Sequence, residues 1–450
     1  MDSDLLFEHL HNNGDRIACW YQQKSYSYKW LLSRCDELTR TFSTVGVIAG
    51  TIVSVIADYH PDSLASLLAL IRLKAIVQPM TRLSEKAIAR NSEICSSEFK
   101  LWIDEDGLKD IRFTRMKGEH ALIDNLRRSG QAGLIIMSSG TSGQSKAIVH
   151  NLEQLIRTVK PSLQPRTVIS FLLFDHIGGI NTMLSAFASG NCLVVPELRT
   201  PECISEAISR YQVDVLITSP SFLNLMILKN CFENNSLQVL KQINYGSEVM
   251  PASILSYLTE KLPTTRLTQA YGLSEAGVIK TRSDDNQSTF IRIVDENVQI
   301  RVRENKLEIL SKTSMLGYMN APSPFTADGW LITGDVVEMR DDSFRIVGRD
   351  TEVINVGGEK VYPGEVENII LQLPGVEDVV VNAEKNAILG NIVVARIKAN
   401  GDTDFIQLRR EVILWCKRHL PLFKVPQKIT FINEGDYGLR FKKKRQPVIT

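Results

Sequence analysis

The chain has 450 residues, 44% of them hydrophobic and 23% charged, with a formal net charge of +1. That is an ordinary globular balance with room for two or three domains, and it gives no global preference for nucleic acid or an anionic membrane. Seven cysteines without a Cys-x-x-Cys pair, and seven histidines without metal-ligand spacing, argue against a disulfide framework or zinc site and point to a reducing cytoplasm.

The N-terminus carries Asp2 and Asp4 and no basic stretch ahead of an apolar one, so no targeting segment is expected. Periodicity predicts a helix over 28–45, a strand over 51–56, a helix over 61–73 and a strand over 75–79. The apolar run 64–80 is broken by Arg72 and Lys74, so it reads as a buried helix and strand and not as a membrane span. The alternation resumes with a helix at 152–159, strand at 168–174, helix at 181–188, strand at 192–195, helix at 203–211 and strand at 213–218. Strands separated by helices of this length imply βαβ units and mostly parallel sheets. After about residue 290 come short strands (290–294, 298–302, 307–309, 336–339) that suggest a small β-barrel or distorted sheet. After Gly348-Arg349 a compact α+β unit of roughly 100 residues follows: helix 364–373, strands 376–381 and 391–397, helix 404–419 and strand 428–432. The expected division is a domain of residues 1–349 and a smaller one of 350–450.

The apolar run 133–137 leads into Ser-Ser-Gly-Thr-Ser-Gly-Gln-Ser-Lys at 138–146. Gly140 and Gly143 let the backbone turn tightly, so successive N–H groups and the hydroxyls of Ser138, Ser139, Thr141 and Ser142 can face a polyphosphate. Lys146 supplies a fixed positive charge. The spacing Gly-x-x-Gly-x-x-Lys differs from the Gly-x-x-x-x-Gly-Lys-[Ser/Thr] of a Walker A loop, which makes this a phosphate loop of another kind.

Three further segments stand in order behind it. They are Tyr271-Gly272-Leu273-Ser274-Glu275, Thr333-Gly334-Asp335, and the stretch from Gly348-Arg349 through Gly357-Gly358-Glu359-Lys360-Val361-Tyr362-Pro363-Gly364-Glu365. With the loop, they make the chain resemble the adenylate-forming superfamily of acyl-CoA and aryl-CoA synthetases, peptide-synthetase adenylation domains and firefly-type luciferases. The resemblance runs from Tyr28 to the basic tail, with Ser145 at the family's usual proline and Ser274 at its threonine.

The resemblance implies an α/β fold: a large N-terminal domain of mostly parallel sheets with a small β-barrel-like subdomain, then a small mobile C-terminal domain. It implies that a carboxylic acid is activated by ATP to acyl-AMP and passed to the pantetheine thiol of CoA or an acyl carrier protein. Glu275 would hold Mg²⁺, Tyr271 would pack on adenine beside Gly246, Ser247 and Glu248, and Asp335 would bind the ribose with Arg349 close by. His176 would stand beside the substrate carboxylate, in an acyl pocket with Phe174, Asp175, Gly178, Gly179, Ser221, Gly246 and Gly272. Gly357, Gly358, Glu359 and Lys360 would line the thiol tunnel, and Asp350-Thr351 would be the hinge. The family's C-terminal Gly-Lys-x-x-Arg is replaced by Gly438-Leu439-Arg440-Phe441-Lys442-Lys443; alignment on Phe441 puts Arg440 in the lysine's place, and Lys442 or Lys443 would serve instead if the loop is shifted. Arginine keeps the charge but not the compact ammonium. Two rival readings remain. One is an amino-acid adenylating enzyme, in which Asp175 pairs with the substrate amine; the other is an impaired nucleotide-binding homologue that lacks the lysine.

Overall fold

The computed structural model describes residues 2–81, 83–138, 145–162, 164–233, 235–401 and 403–432. Two large sheets face each other across a layer of helices. The first has seven strands, in the order Gly317–Tyr318, Lys146–Asn151, Gly133–Ser138, Ile76–Met80, Ile52–Ile56, Phe99–Asp104 and Gly107–Phe113. Its central members Ile52–Ile56 and Ile76–Met80 are parallel and buried at every position, as β-branched strands covered on both faces must be. The second sheet has eight strands, and its core is the parallel set Thr167–Ile169, Val215–Thr218, Gln242–Gly246 and Arg266–Leu273.

The helix Pro61–Arg72 is buried from Pro61 to Ile71, so no polar face is needed; it starts on a proline and a capping box between His60 and Ser63. Its Leu64, Leu67 and Leu68 join Val53, Val77 and Leu134 of the first sheet in one apolar cluster. Met183, Leu184 and Phe187 of the helix Ile177–Ala188 belong to the same cluster. This layer sets the start of Ile177–Ala188 at the carboxyl ends of the parallel strands, the usual place for a ligand crevice.

The fit at that helix start is close. A side chain on Gly179 would press on the Leu173 carbonyl oxygen and come within 3.1 Å of the Tyr59 hydroxyl. That hydroxyl already donates to the Gly179 carbonyl at 2.8 Å. Gly179→Ala is therefore expected to cost about 1–3 kcal/mol, read as a lower thermal unfolding midpoint; an unchanged midpoint would remove the packing argument.

The short strands after residue 290 form a four-stranded antiparallel sheet, Val298–Arg303, Lys306–Ser311, Leu331–Arg340 and Ser343–Arg349. Register shifts at Lys306/Glu308 and Val336/Val337 make it the distorted sheet of the two forms left open above. Residues beyond Arg349 build a separate core from Ile354, Val366, Ile370, Val379, Val381, Val393, Leu408 and Val412. Among the described residues no helix is long and apolar enough to cross a membrane.

Candidate active site

The strands Gly133–Ser138 and Lys146–Asn151 pair antiparallel with Ser138 opposite Lys146, so both ends of the phosphate-type loop are fixed together. Ser139, Gly140, Thr141, Ser142 and Gly143 lie outside the described residues. The loop's exit is clamped by Asn320, which donates to the Ser145 carbonyl and accepts from the Ala147 N–H, each at 2.9 Å.

Strand Gly317–Tyr318 pairs with the far side of Lys146–Asn151, Tyr318 facing Ile148. This brings the Tyr318 ring under the Lys146 ammonium, 5.0 Å from nitrogen to ring centroid. The Tyr318 hydroxyl donates to Glu275 Oε1 at 2.8 Å. Burial, reinforced by the Glu275 charge, pushes that hydroxyl's pKa up, so it stays a donor. Lys146 and Glu275, 129 positions apart by their numbers, are thus joined through one tyrosine.

The backbone around Glu275 is held on both sides. Its carbonyl accepts from the Met315 N–H at 2.7 Å, and the Ser274 carbonyl lies 2.6 Å from His150 Nε2. A carbonyl can only accept, so His150 donates from Nε2. Burial lowers the His150 pKa and keeps the ring neutral. Gly272 fits because a side chain there would sit 2.7 Å from the Gly277 carbonyl across the turn.

Tyr271, Asp335 and Arg349 form a second group. Asp335 and Arg349 face each other on adjacent antiparallel strands. The buried Asp335 accepts from the Tyr271 hydroxyl at 2.6 Å and from Arg349 Nε at 3.0 Å. Burial raises the Asp335 pKa against the pull of Arg349, whose own side chain is 47% exposed. The Arg349 charge also acts on Tyr318 and Glu275, which links the two groups.

Gly246 ends the strand beside Ala270, and a side chain there would press on the Ala270 carbonyl. Ser247 follows in the left-handed region at φ 68°, which turns Glu248 back so that its Oε2 accepts from the Ser221 N–H at 3.1 Å. Ser221 and Glu248 line a small cleft of about 30 Å³ against Gly364, Glu367 and Asn368 of the C-terminal unit. Near this cleft, Ala252 N–H donates to Asn368 Oδ1 and Asn224 Nδ2 to the Glu377 carbonyl across that boundary.

The other expected residues take the following positions. Phe174 is fully buried with its ring edge-on to Tyr59. Asp175 is 7% exposed and accepts from the Thr81 hydroxyl at 2.8 Å, turned toward the end of a neighbouring strand. Gly178 and Gly179 are buried in the first turn of their helix, where they serve close packing. His176 caps that helix: its Nδ1 accepts from the Gly178 N–H at 3.1 Å. In the neutral ring the proton then sits on Nε2. Gly357 and Gly358 form an exposed turn beside Asn355 and Leu389, and Glu359 and Lys360 are exposed on the strand that follows it. Asp350 accepts from Lys306 Nζ at 2.8 Å, and Thr351 lies exposed in the short 3₁₀ turn Asp350–Glu352. Arg440, Lys442 and Lys443 lie outside the described residues.

Tyr318, Asn320 and His150 were missed from the sequence. The available signals were the polar ends of Gly317-Tyr318-Met319-Asn320 and one histidine in the apolar strand after Lys146. Among the described residues no group of three or more His, Cys, Asp or Glu could hold a metal alone. One half-buried carboxylate, Glu275, fits an ion such as Mg²⁺, which keeps most of its waters and binds one or two carboxylates plus substrate phosphates.

Comparison with known proteins places these residues in context. Residues 6–329 match the family model described as AMP-binding enzyme, and residues 365–436 match the AMP-binding enzyme C-terminal domain. An indoleacetate–CoA ligase of Aromatoleum aromaticum is 24% identical, covering 96% of this chain and 94% of its own. A 3,4-dihydroxybenzoate–[aryl-carrier protein] ligase of Bacillus anthracis is 26% identical over 72% of this chain and 73% of its own. Among solved structures, the anthranilate CoA ligase AuaEII in complex with anthranoyl-AMP superposes with a TM-score of 0.85 at 17% identity, covering 98% of this chain and 95% of that one.

Proposed function

The chain belongs to the AMP-binding enzymes of the adenylate-forming superfamily, and from that premise we propose that it activates an aryl or fatty acid with ATP and hands the acyl group to a pantetheine thiol. In the first step a carboxylate oxygen bonds to the α-phosphorus and the α–β anhydride bond breaks, giving acyl-AMP and pyrophosphate. In the second the thiol sulfur bonds to the acyl carbon and AMP leaves. Relatives of this chain include ligases named for CoA and for an aryl-carrier protein, which supports a thiol acceptor of either kind.

The observation that carries the reading is the Lys146–Tyr318–Glu275 cluster, a cation and a carboxylate held together at the mouth of a serine-rich loop. Lys146 meets phosphate oxygens as they turn toward the acid, where fixed positive charge lowers the cost of bringing two anions together. Bound Mg²⁺, held by Glu275 and the phosphates, would supply Lewis-acid charge stabilisation. Asp335 and Arg349 offer an acceptor and a donor to the ribose, and the buried Tyr271 holds Asp335 in place through its hydroxyl. His176, whose Nδ1 caps the helix, stands beside the substrate carboxylate in this reading.

The separate core after Arg349 supports a C-terminal unit of residues 350–450 that turns about Asp350-Thr351 between the two steps, carrying Gly357–Lys360 toward the thiol. Arg440, Lys442 or Lys443 then supplies the cation of the first step. Seven unpaired cysteines fit work in the reducing cytoplasm.

ATP–pyrophosphate exchange with a panel of aryl, fatty and amino acids tests the proposal. Stimulation by an aryl or fatty acid is expected. Stimulation by amino acids alone, or by none while ATP still binds, would overturn it.

A further inference from the structure

We infer that Tyr318 is a positioning residue with two separable tasks, its ring seating the Lys146 ammonium and its hydroxyl orienting the Glu275 carboxylate. The inference rests on the proposed nucleotide reading and extends it to a residue outside the motifs that pointed to that reading. Tyr318 stands on a two-residue strand locked between Ile148 across the sheet and the Asn320 clamp, so its ring has little freedom to turn away. From that fixed base the ring face meets Lys146 at 5.0 Å and the hydroxyl meets Glu275 Oε1 at 2.8 Å. Glu275 Oε2 has no hydrogen-bond partner among the described residues, which leaves that oxygen for a cation.

The geometry matters because Lys146 and Glu275 are opposite charges that would otherwise collapse into an ion pair. A direct contact would cancel the cation meant for phosphate and the anion meant for Mg²⁺. Seating the ammonium on the ring and the carboxylate on the hydroxyl holds each charge with an interaction weaker than an ion pair, so both can be given up to ligand. The ring quadrupole attracts the ammonium, and the phenol spends one hydrogen bond on one carboxylate oxygen.

The two tasks predict different responses to Tyr318→Phe and Tyr318→Leu, read by calorimetric titration of ATP with and without Mg²⁺. Tyr318→Phe keeps the ring, so ATP affinity in EDTA should match the wild type. The extra affinity that Mg²⁺ confers should fall about tenfold, the scale of one hydrogen bond to a charged group. Tyr318→Leu loses both, so affinity in EDTA should also fall, by about three- to tenfold. In a Glu275→Gln background, Tyr318→Phe should add nothing to the loss of Mg²⁺ response, a dependence that general destabilisation would not produce.

Equal Mg²⁺ responses in wild type and Tyr318→Phe, or unchanged EDTA affinity in Tyr318→Leu, would overturn the inference. A wild-type chain that binds no ATP would instead overturn the nucleotide reading beneath it. If Tyr318→Leu fails to fold, the Tyr318→Phe and double-variant comparison decides alone.

Discussion

Glu275→Gln is expected to slow ATP–pyrophosphate exchange by about 10²–10³-fold, the loss seen when one charge-stabilising group is removed from a transition state. Glutamine keeps the shape and an oxygen that can still accept from Tyr318, so the substitution isolates the charge. Glu275 is half-buried and its backbone is fixed by hydrogen bonds from the Met315 N–H and, through Ser274, from His150. The side chain carries none of that load, so the thermal unfolding midpoint should not move. Excess Mg²⁺ should restore part of the rate, because weaker cation binding is then the limiting defect. A loss under about threefold, roughly 0.6 kcal/mol, would mean the carboxylate does not face the reacting phosphates.

Much of this site was legible in the sequence because its residues travel in short motifs. Tyr271 and Glu275 share one hairpin, and Asp335 and Arg349 face each other across another. Composition and spacing along the chain report such local groupings well. What was not legible depends on pairing between distant strands. Tyr318 and Asn320 gain their meaning only because Gly317–Tyr318 lies beside Lys146–Asn151, and Asn320 is 173 positions from the Ala147 it clamps. Nothing near either residue in sequence signals that neighbour.

The stretch 168–179 erred for another reason. The expected strand 168–174 stops at Ile169, and the helix expected from 181 begins at Ile177. Its cap is His176, a residue type outside the usual Ser, Thr, Asp and Asn set, so the start was missed. With the helix starting earlier, Phe174 and Asp175 fall in the tight turn before it and point inward. The tail after 350 came close: helix 404–419 is Phe405–His419 with Asp404 as its cap, and strand 391–397 is Gly390–Ala399.

Asp335→Asn is expected to separate function from stability. An amide still accepts from the Tyr271 hydroxyl, but the charge-assisted bond to Arg349 and the acceptor offered to ribose are weakened. Exchange at limiting ATP should fall by about 10–100-fold, the scale of a hydrogen bond to a charged group. Stability should move the other way. Burial raises the Asp335 pKa above the 3.8 of a free aspartate, outweighing Arg349. Above pH 3.8 the folded chain therefore keeps a proton that the unfolded chain has released, so this group's contribution falls as pH rises through its folded pKa and is full only below 3.8. At pH 7 the wild type carries a desolvated carboxylate that asparagine lacks. Arg349 is not stranded by the change, since nearly half its side chain is in water. Asp335→Asn should thus unfold at a temperature no lower than wild type at pH 7, and any gain should shrink as the pH is lowered toward 4. A lower midpoint at pH 7 with exchange intact would reverse the assignment, making Asp335 a structural anion whose pairing with Arg349 outweighs its burial.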